Sequence, residues 1–191
     1  MILYLVGISC VGKSTIGEML AEKIGFSFFD LDLEIQKYYK KPIERIQNEC
    51  FSMNGYRKKG SVVLDFLLQK NIDCVIAGTP SGLKYSYLQV YKKHKAEREL
   101  YSIHINDLCE NILERITFYD EDSNPIIEEL DGLKKIRYLH EIKEDYAFFK
   151  NSYQRADIRV DINGVVLSKI PTLILGKLQE NGVVISIVNQ P

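Results

Sequence analysis

The stretch Gly7-Ile8-Ser9-Cys10-Val11-Gly12-Lys13-Ser14 fits the pattern G-x-x-x-x-G-K-[ST]. Its glycines let the backbone curl until successive N–H groups converge on one phosphate. The helix that follows adds its positive N-terminal end. In such a loop the lysine, Lys13, reaches the β- and γ-phosphates, and the Ser14 hydroxyl ligates Mg2+. The expected nucleotide-binding residues are Gly7, Ser9, Cys10, Val11, Gly12, Lys13, Ser14 and Thr15, with Lys13 also catalytic. The implied cofactors are ATP and Mg2+. Cys10 has two readings: a thiol whose pKa the amide N–H groups lower, or a small side chain that the loop tolerates.

A second group of chemical residues follows. In FFDLDLEI, Asp30 and Asp32 come just past a strand-like run. Alternation puts both on one side if the segment is extended. One carboxylate then serves Mg2+, while the other meets an acceptor hydroxyl and takes its proton during phosphoryl transfer. The competing explanation is a helix cap, since an Asp before LEIQKYY caps well. Arg57, in NGYRKKGSVVL, is read as lying ahead of a helix. A fixed guanidinium there would clamp a substrate carboxylate bidentately; otherwise it is solvated surface.

These residues need elements to hold them. ILYLV (Ile2–Val6) reads as a buried strand, and Ile16, Met19, Leu20 and Ile24 mark a helical stripe that Gly25 stops. FSFF is a short strand ending at Asp30. LEIQKYYK and PIERIQNECF read as two short helices, Pro42 opening the second. SVVLDFLLQK is helical, with Val63, Phe66 and Leu67 on one face. DCVIA is a strand closed by the turn GTPSG; a polar helix, the strand LYSIHI and a helix from Asp107 to Phe118 follow. YDEDSNP reads as a mobile loop, Leu133 to Tyr153 as a long helix and DIRVDI as the last strand. Pro171 should kink or interrupt the C-terminal helix, and the tail GVVISIVNQP adds an edge strand or covers the core. Strands separated by helices mean right-handed crossovers and a parallel sheet. Ligands of such sheets bind beyond the C-terminal strand ends. The Gly7 loop, Asp30 with Asp32, and Gly78–Gly82 all fall there.

Bulk properties narrow the function. A chain of 191 residues is expected to form a single α/β domain over 1–191. Net charge is −1, with no block of Lys or Arg, so nucleic acid is not the expected partner. Cys10, Cys50, Cys74 and Cys109 are far apart and form no C-x-x-C pair, which argues against zinc and fits a reducing cytoplasm. No signal peptide or membrane span is expected. The partner is instead a small-molecule acceptor, and a monomer is expected.

Taken together, the motifs make the chain resemble the shikimate kinases. The register is good from Met1 to about Leu67, through GISCVGKS, the D-x-D of Asp30 and Asp32, and Tyr56-Arg57 at the family's F-R position. It continues more loosely to about Ser168. The resemblance implies a three-layer α/β/α P-loop NTPase fold, with a five-stranded parallel sheet in the order 2-3-1-4-5. It implies a lid at about 116–133 and an acceptor-binding helical region at about 32–62. Asp32 would hold and deprotonate the acceptor hydroxyl, Asp30 would help Ser14 bind Mg2+, and Arg57 would bind the acceptor carboxylate. Gly78 and Thr79 would also touch the acceptor, as would Lys150, or Arg155 in its place, standing for the family's second acceptor-binding Arg, and Arg115 would touch the adenine.

The sequence also departs from the family pattern. The glycine triplet after the third strand is Ala77-Gly78-Thr79, and Asn124 stands before Pro125 where the family's lid has an Arg. From Thr117 to Gly132 there is no Lys or Arg, but there are six acidic residues. An acidic lid should repel a triphosphate, so either Lys134 or Arg137 supplies the closing cation or the lid binds something else. The first reading is ATP-dependent transfer of the γ-phosphoryl group to a small acidic polyol, shikimate foremost. A kinase of the same fold acting on a sugar acid or nucleoside is the second. A nucleotide-binding regulatory module with little transferase activity is the third.

Overall fold

The computed structural model describes residues 1–185. Strand β1 (Ile2–Val6) is buried along its whole length, as an apolar run must be when helices cover both faces of a parallel sheet. Helix α1 (Lys13–Ile24) turns Ile16, Leu20 and Ile24 onto that sheet and ends at Gly25. Strand β2 (Ser27–Asp30) leads into α2 (Leu31–Tyr39), α3 (Ile43–Asn48) and α4 (Met53–Gln69). Then come β3 (Cys74–Ala77), α5 (Ser86–Lys95), β4 (Leu100–Asn106) and α6 (Cys109–Leu113). A small hairpin, β5 (Phe118–Tyr119) and β6 (Pro125–Ile126), precedes α7 (Gly132–Tyr153), β7 (Ile158–Asp161) and α8 (Ile170–Glu180).

The main sheet has the order β2-β3-β1-β4-β7 and is parallel throughout. Because β5 and β6 pair only with each other, β7 is its fifth strand, and the order is the expected 2-3-1-4-5. Register places Leu5 opposite both Ala77 and Ile103, and Asp30 opposite Ala77. The phosphate loop, the two aspartates and the GTPSG turn therefore leave the sheet at one edge.

Several local expectations need correction. Asp30 and Asp32 do not alternate on an extended segment: Asp30 closes β2, while Asp32 is in the first turn of α2. Helix α4 begins at Met53, so Arg57 lies within it rather than ahead of it. Ser52 caps that helix by accepting from the Gly55 N–H at 3.3 Å. On α4 the buried stripe is Val63, Leu64, Leu67 and Leu68, and Phe66 faces solvent. The helix expected from Asp107 to Phe118 stops at Leu113, because Phe118 and Tyr119 pair with Ile126 and Pro125. YDEDSNP is the tight turn of that hairpin, closed by the Asp120 side chain, which accepts from the N–H groups of Asp122 and Asn124 at 2.9 Å. Pro171 opens α8 after a 3-10 turn at Leu167–Lys169, which is the expected interruption. Of the tail, Val183 is buried against the core and residues 182–185 form no strand; residues 186–191 lie outside the described residues.

Candidate active site

Between β1 and α1 the chain turns sharply. Gly7 has a φ of 156°, and a Cβ there would lie 2.7 Å from the Ile105 carbonyl oxygen of β4. Only glycine fits that approach. Cys10 also adopts a left-handed φ, at 58°. Lys13 is 8% exposed and folds over the loop, donating to the carbonyls of Gly7 at 3.0 Å and Ile8 at 2.8 Å. Burial lowers its pKa to about 8, with Asp32, Cys10 and Asp30 opposing the shift. A bound polyanion would restore the missing solvation of this ammonium.

Asp30 combines the two roles that the sequence left as alternatives. One carboxylate oxygen caps α2, accepting from the N–H groups of Asp32 at 2.9 Å and Leu33 at 3.3 Å. The other accepts from the Ser14 hydroxyl at 2.5 Å. This pairing fits a Mg2+ ion well: such an ion keeps most of its waters and takes few protein ligands. Ser14 offers one oxygen, and Asp30 stands ready to hold a metal-bound water.

Asp32, in the first turn of α2, faces a cavity of about 670 Å3. Burial, and after it the Asp30 carboxylate, push its carboxyl up to about 6. The Tyr56 hydroxyl donates to Asp32 at 3.4 Å. Asp32 is thus ionised near neutral pH, yet more basic than a solvated aspartate, which suits a proton acceptor.

Arg57 lines the same cavity and is 6% exposed. Its Nε donates to the Ser81 hydroxyl at 2.9 Å and its Nη1 to Asn54 at 3.0 Å. The rings of Tyr85, Phe148 and Phe149 surround the guanidinium, with centroids 5.6, 5.7 and 6.0 Å away. Among the described residues no carboxylate forms an ion pair with it. A buried, unpaired guanidinium is costly unless a ligand anion completes it. Gly78 lies under Tyr4: an added Cβ would come within 2.7 Å of that ring. Thr79, 1% exposed, lines the cavity with a hydroxyl that has no partner among the described residues.

Not every predicted residue converges here. Lys150 follows Phe149 on α7, so it points about 100° away from the cavity wall and lines a different cavity. Arg115 also lies outside the first cavity; it pairs with Asp107 at 2.5 Å, beside Asn111, whose amide donates to Asn163 at 3.2 Å. The lid cations turn elsewhere as well, Lys134 to Glu128 at 2.8 Å and Arg137 to Glu141 at 2.9 Å.

The lid's acidity has structural outlets. Asp122 pairs with Arg45 of α3 at 2.5 Å, and Asp131 caps α7 by accepting from the Lys134 N–H at 2.8 Å. The Ser123 hydroxyl bonds the Glu44 carboxylate and accepts from the Ile43 N–H at 3.2 Å. The hairpin is therefore closed onto α3, and it brings Tyr119 and Ser123 into the cavity wall. Sequence reasoning missed Ser81, Tyr119 and Ser123. Ser81 stood in the GTPSG turn it had marked; nothing local marked the other two.

Comparison with known proteins gives the family. A family model described as shikimate kinase matches residues 9–170. A shikimate kinase of Persephonella marina is 32% identical, over 93% of this chain and 98% of that one. The crystal structure of the Aquifex aeolicus shikimate kinase superposes with a TM-score of 0.71 at 27% identity, covering 95% of this chain and 98% of the other. The Acinetobacter baumannii shikimate kinase in complex with shikimate shares the fold, with a TM-score of 0.74 at 21% identity over 94% and 93% of the two chains. The chain belongs to the shikimate kinase family.

Proposed function

We propose that the protein is an ATP-dependent shikimate kinase, and that Asp32 and Arg57 divide the acceptor between them. The observation that carries this reading is the buried Arg57, without an ion-pair partner among the described residues, in one cavity with Asp32. Arg57 takes the acceptor carboxylate through paired N–H donors. Asp32 accepts a hydrogen bond from the acceptor hydroxyl and orients that oxygen toward the γ-phosphorus. As the new P–O bond forms and the β–γ bridging bond breaks, the hydroxyl proton passes to Asp32. Lys13 balances the charge that develops on the phosphate oxygens. Mg2+, held by Ser14 with Asp30 behind it, supplies further neutralisation when bound. Thr79 has a free hydroxyl to offer the acceptor, and Arg115 would cover the adenine.

Arg57 is the only Lys or Arg lining this cavity among the described residues. The lid adds none, which favours, as the second reading, a kinase of the same fold acting on a different acceptor, a sugar acid or a nucleoside. No helix among the described residues is long and apolar enough to cross a membrane, and the cysteines are all free. Free cysteines fit a reducing, cytoplasmic location. The test is ADP release with Mg·ATP and a panel of shikimate, quinate, gluconate and nucleosides. Shikimate should be turned over with the highest kcat/KM. Turnover of another acceptor in its place overturns the shikimate assignment; no turnover across the panel would leave a nucleotide-binding module.

A further inference from the structure

Helix α7 is a wall with two working faces. Asp145, Phe148 and Phe149 form one stripe, on the acceptor cavity. Tyr146, Lys150 and Tyr153 form another, at i, i+4 and i+7, and this stripe lines a second cavity of about 490 Å3 against β4 and β7. The two cavities share no lining residue. The volume suits a small organic ligand.

The second cavity has a consistent chemistry. Its floor is aromatic: the His104 ring stacks on Tyr153 at 4.6 Å between centroids and 19° between planes. His104 is 5% exposed, and its Nε2 atom has no hydrogen-bond partner among the described residues. Burial, and then Arg159, lower its pKa to about 4, so the ring is neutral. Such a nitrogen is costly to bury unless a ligand or water completes it. Lys150 and Arg159 supply positive charge, and no carboxylate lines the cavity. Arg159 already shares its charge with Asp161 at 3.0 Å, whereas Lys150 has no ion-pair partner among the described residues. A flat aromatic floor, a waiting ring nitrogen and an uncommitted ammonium call for a planar ring carrying an anionic group.

We propose that this cavity is a second ligand site, separate from the acceptor cavity, which takes a small planar aromatic carboxylate. The ring lies against Tyr153 and Tyr146, the carboxylate meets Lys150 and Arg159, and a polar ring substituent reaches His104.

The probe is 2-naphthoate, titrated calorimetrically into the full-length protein that is saturated with shikimate and a non-hydrolysable ATP analogue. The comparison compounds are cyclohexanecarboxylate, which is anionic but not planar, and 2-naphthylmethanol, which is planar but uncharged. One saturable site is expected for 2-naphthoate, with both comparison compounds weaker by about tenfold or more. The exposed double variant Lys150→Ala/Arg159→Ala should lose at least tenfold in affinity while keeping its melting temperature. In histidine-labelled protein, the His104 ring resonances should shift on binding. Displacement of 2-naphthoate by shikimate or by the nucleotide analogue would overturn the proposal. So would equal binding of 2-naphthylmethanol, or unchanged affinity in the double variant. A folded wild-type protein that shows no saturable binding at millimolar 2-naphthoate would overturn it as well.

Discussion

Replacing Asp32 by Asn should make the protein inactive and, at alkaline pH, more stable. The surroundings of this carboxyl raise its pKa from 3.8 to about 6, so its ionised form is disfavoured in the folded state. A group whose folded pKa is raised adds stability below its unfolded pKa and loses that contribution as pH climbs through the folded value. Two units amount to about 3 kcal/mol, and water entering the open cavity reduces the effect to about 1–2 kcal/mol. Asn keeps the shape and an acceptor oxygen for Tyr56 but carries no charge. Urea unfolding of the ligand-free protein is the assay, at about pH 8 and at about pH 5. The variant should be more stable at the higher pH, by about 1–2 kcal/mol, and the gap should narrow by about half at the lower pH, closing only below the unfolded pKa of 3.8. Shikimate-dependent ADP release should fall by about 10²–10⁴. A variant less stable than the parent at pH 8, or a gap that ignores pH, would refute the electrostatic reasoning. Retained turnover would refute the role of Asp32 as proton acceptor.

Other consequences can be checked with single variants. Arg57→Ala should reduce kcat/KM for shikimate by about 10²–10³, and Arg57→Lys should restore only part of this, because an ammonium cannot make the paired contacts. Lys13→Ala should remove the rise in melting temperature that Mg·ATP gives; an unchanged rise would remove the phosphate-loop assignment. Gly78→Ala should destabilise the fold by about 1–3 kcal/mol, since the new methyl group meets the buried Tyr4 ring, and denaturant midpoints will report it.

The parts legible in sequence were those written locally. The buried run before Gly7, the glycine spacing and the stripe of α1 all lie within one continuous segment, and the structure follows them. The strand order came with the resemblance. Arg57 was placed ahead of its helix because NGYRKKG has little apolar periodicity. That turn is helical through its Ser52 cap and the burial of Tyr56 and Arg57, which depend on distant residues. Helix α6 was read too long because Leu108, Ile112 and Ile116 keep a helical spacing of four, whereas cross-strand pairing fixes Phe118 and Tyr119 as strand. Lys150 was misplaced by a single step along α7, since a one-residue offset turns a side chain by about 100°. The acidic lid looked repulsive because Arg45, which receives Asp122, comes from a segment far away in sequence.

The sheet is indifferent to the helices and the hairpin that wall the Asp32 and Arg57 cavity. Helices α2, α3 and the start of α4 lie in the crossover from β2 to β3; the hairpin and α7 lie in the crossover from β4 to β7. Both are detours between strands whose neighbours are set elsewhere, and they meet across the cavity, where Arg45, Glu44 and Ile43 touch the hairpin and Arg57 packs among the rings of Phe148 and Phe149. Specificity in this architecture is therefore transplantable. A lid exchanged between Ile116 and Asp131 leaves every rung of the main sheet in place, and it must match α3, not the sheet, to close.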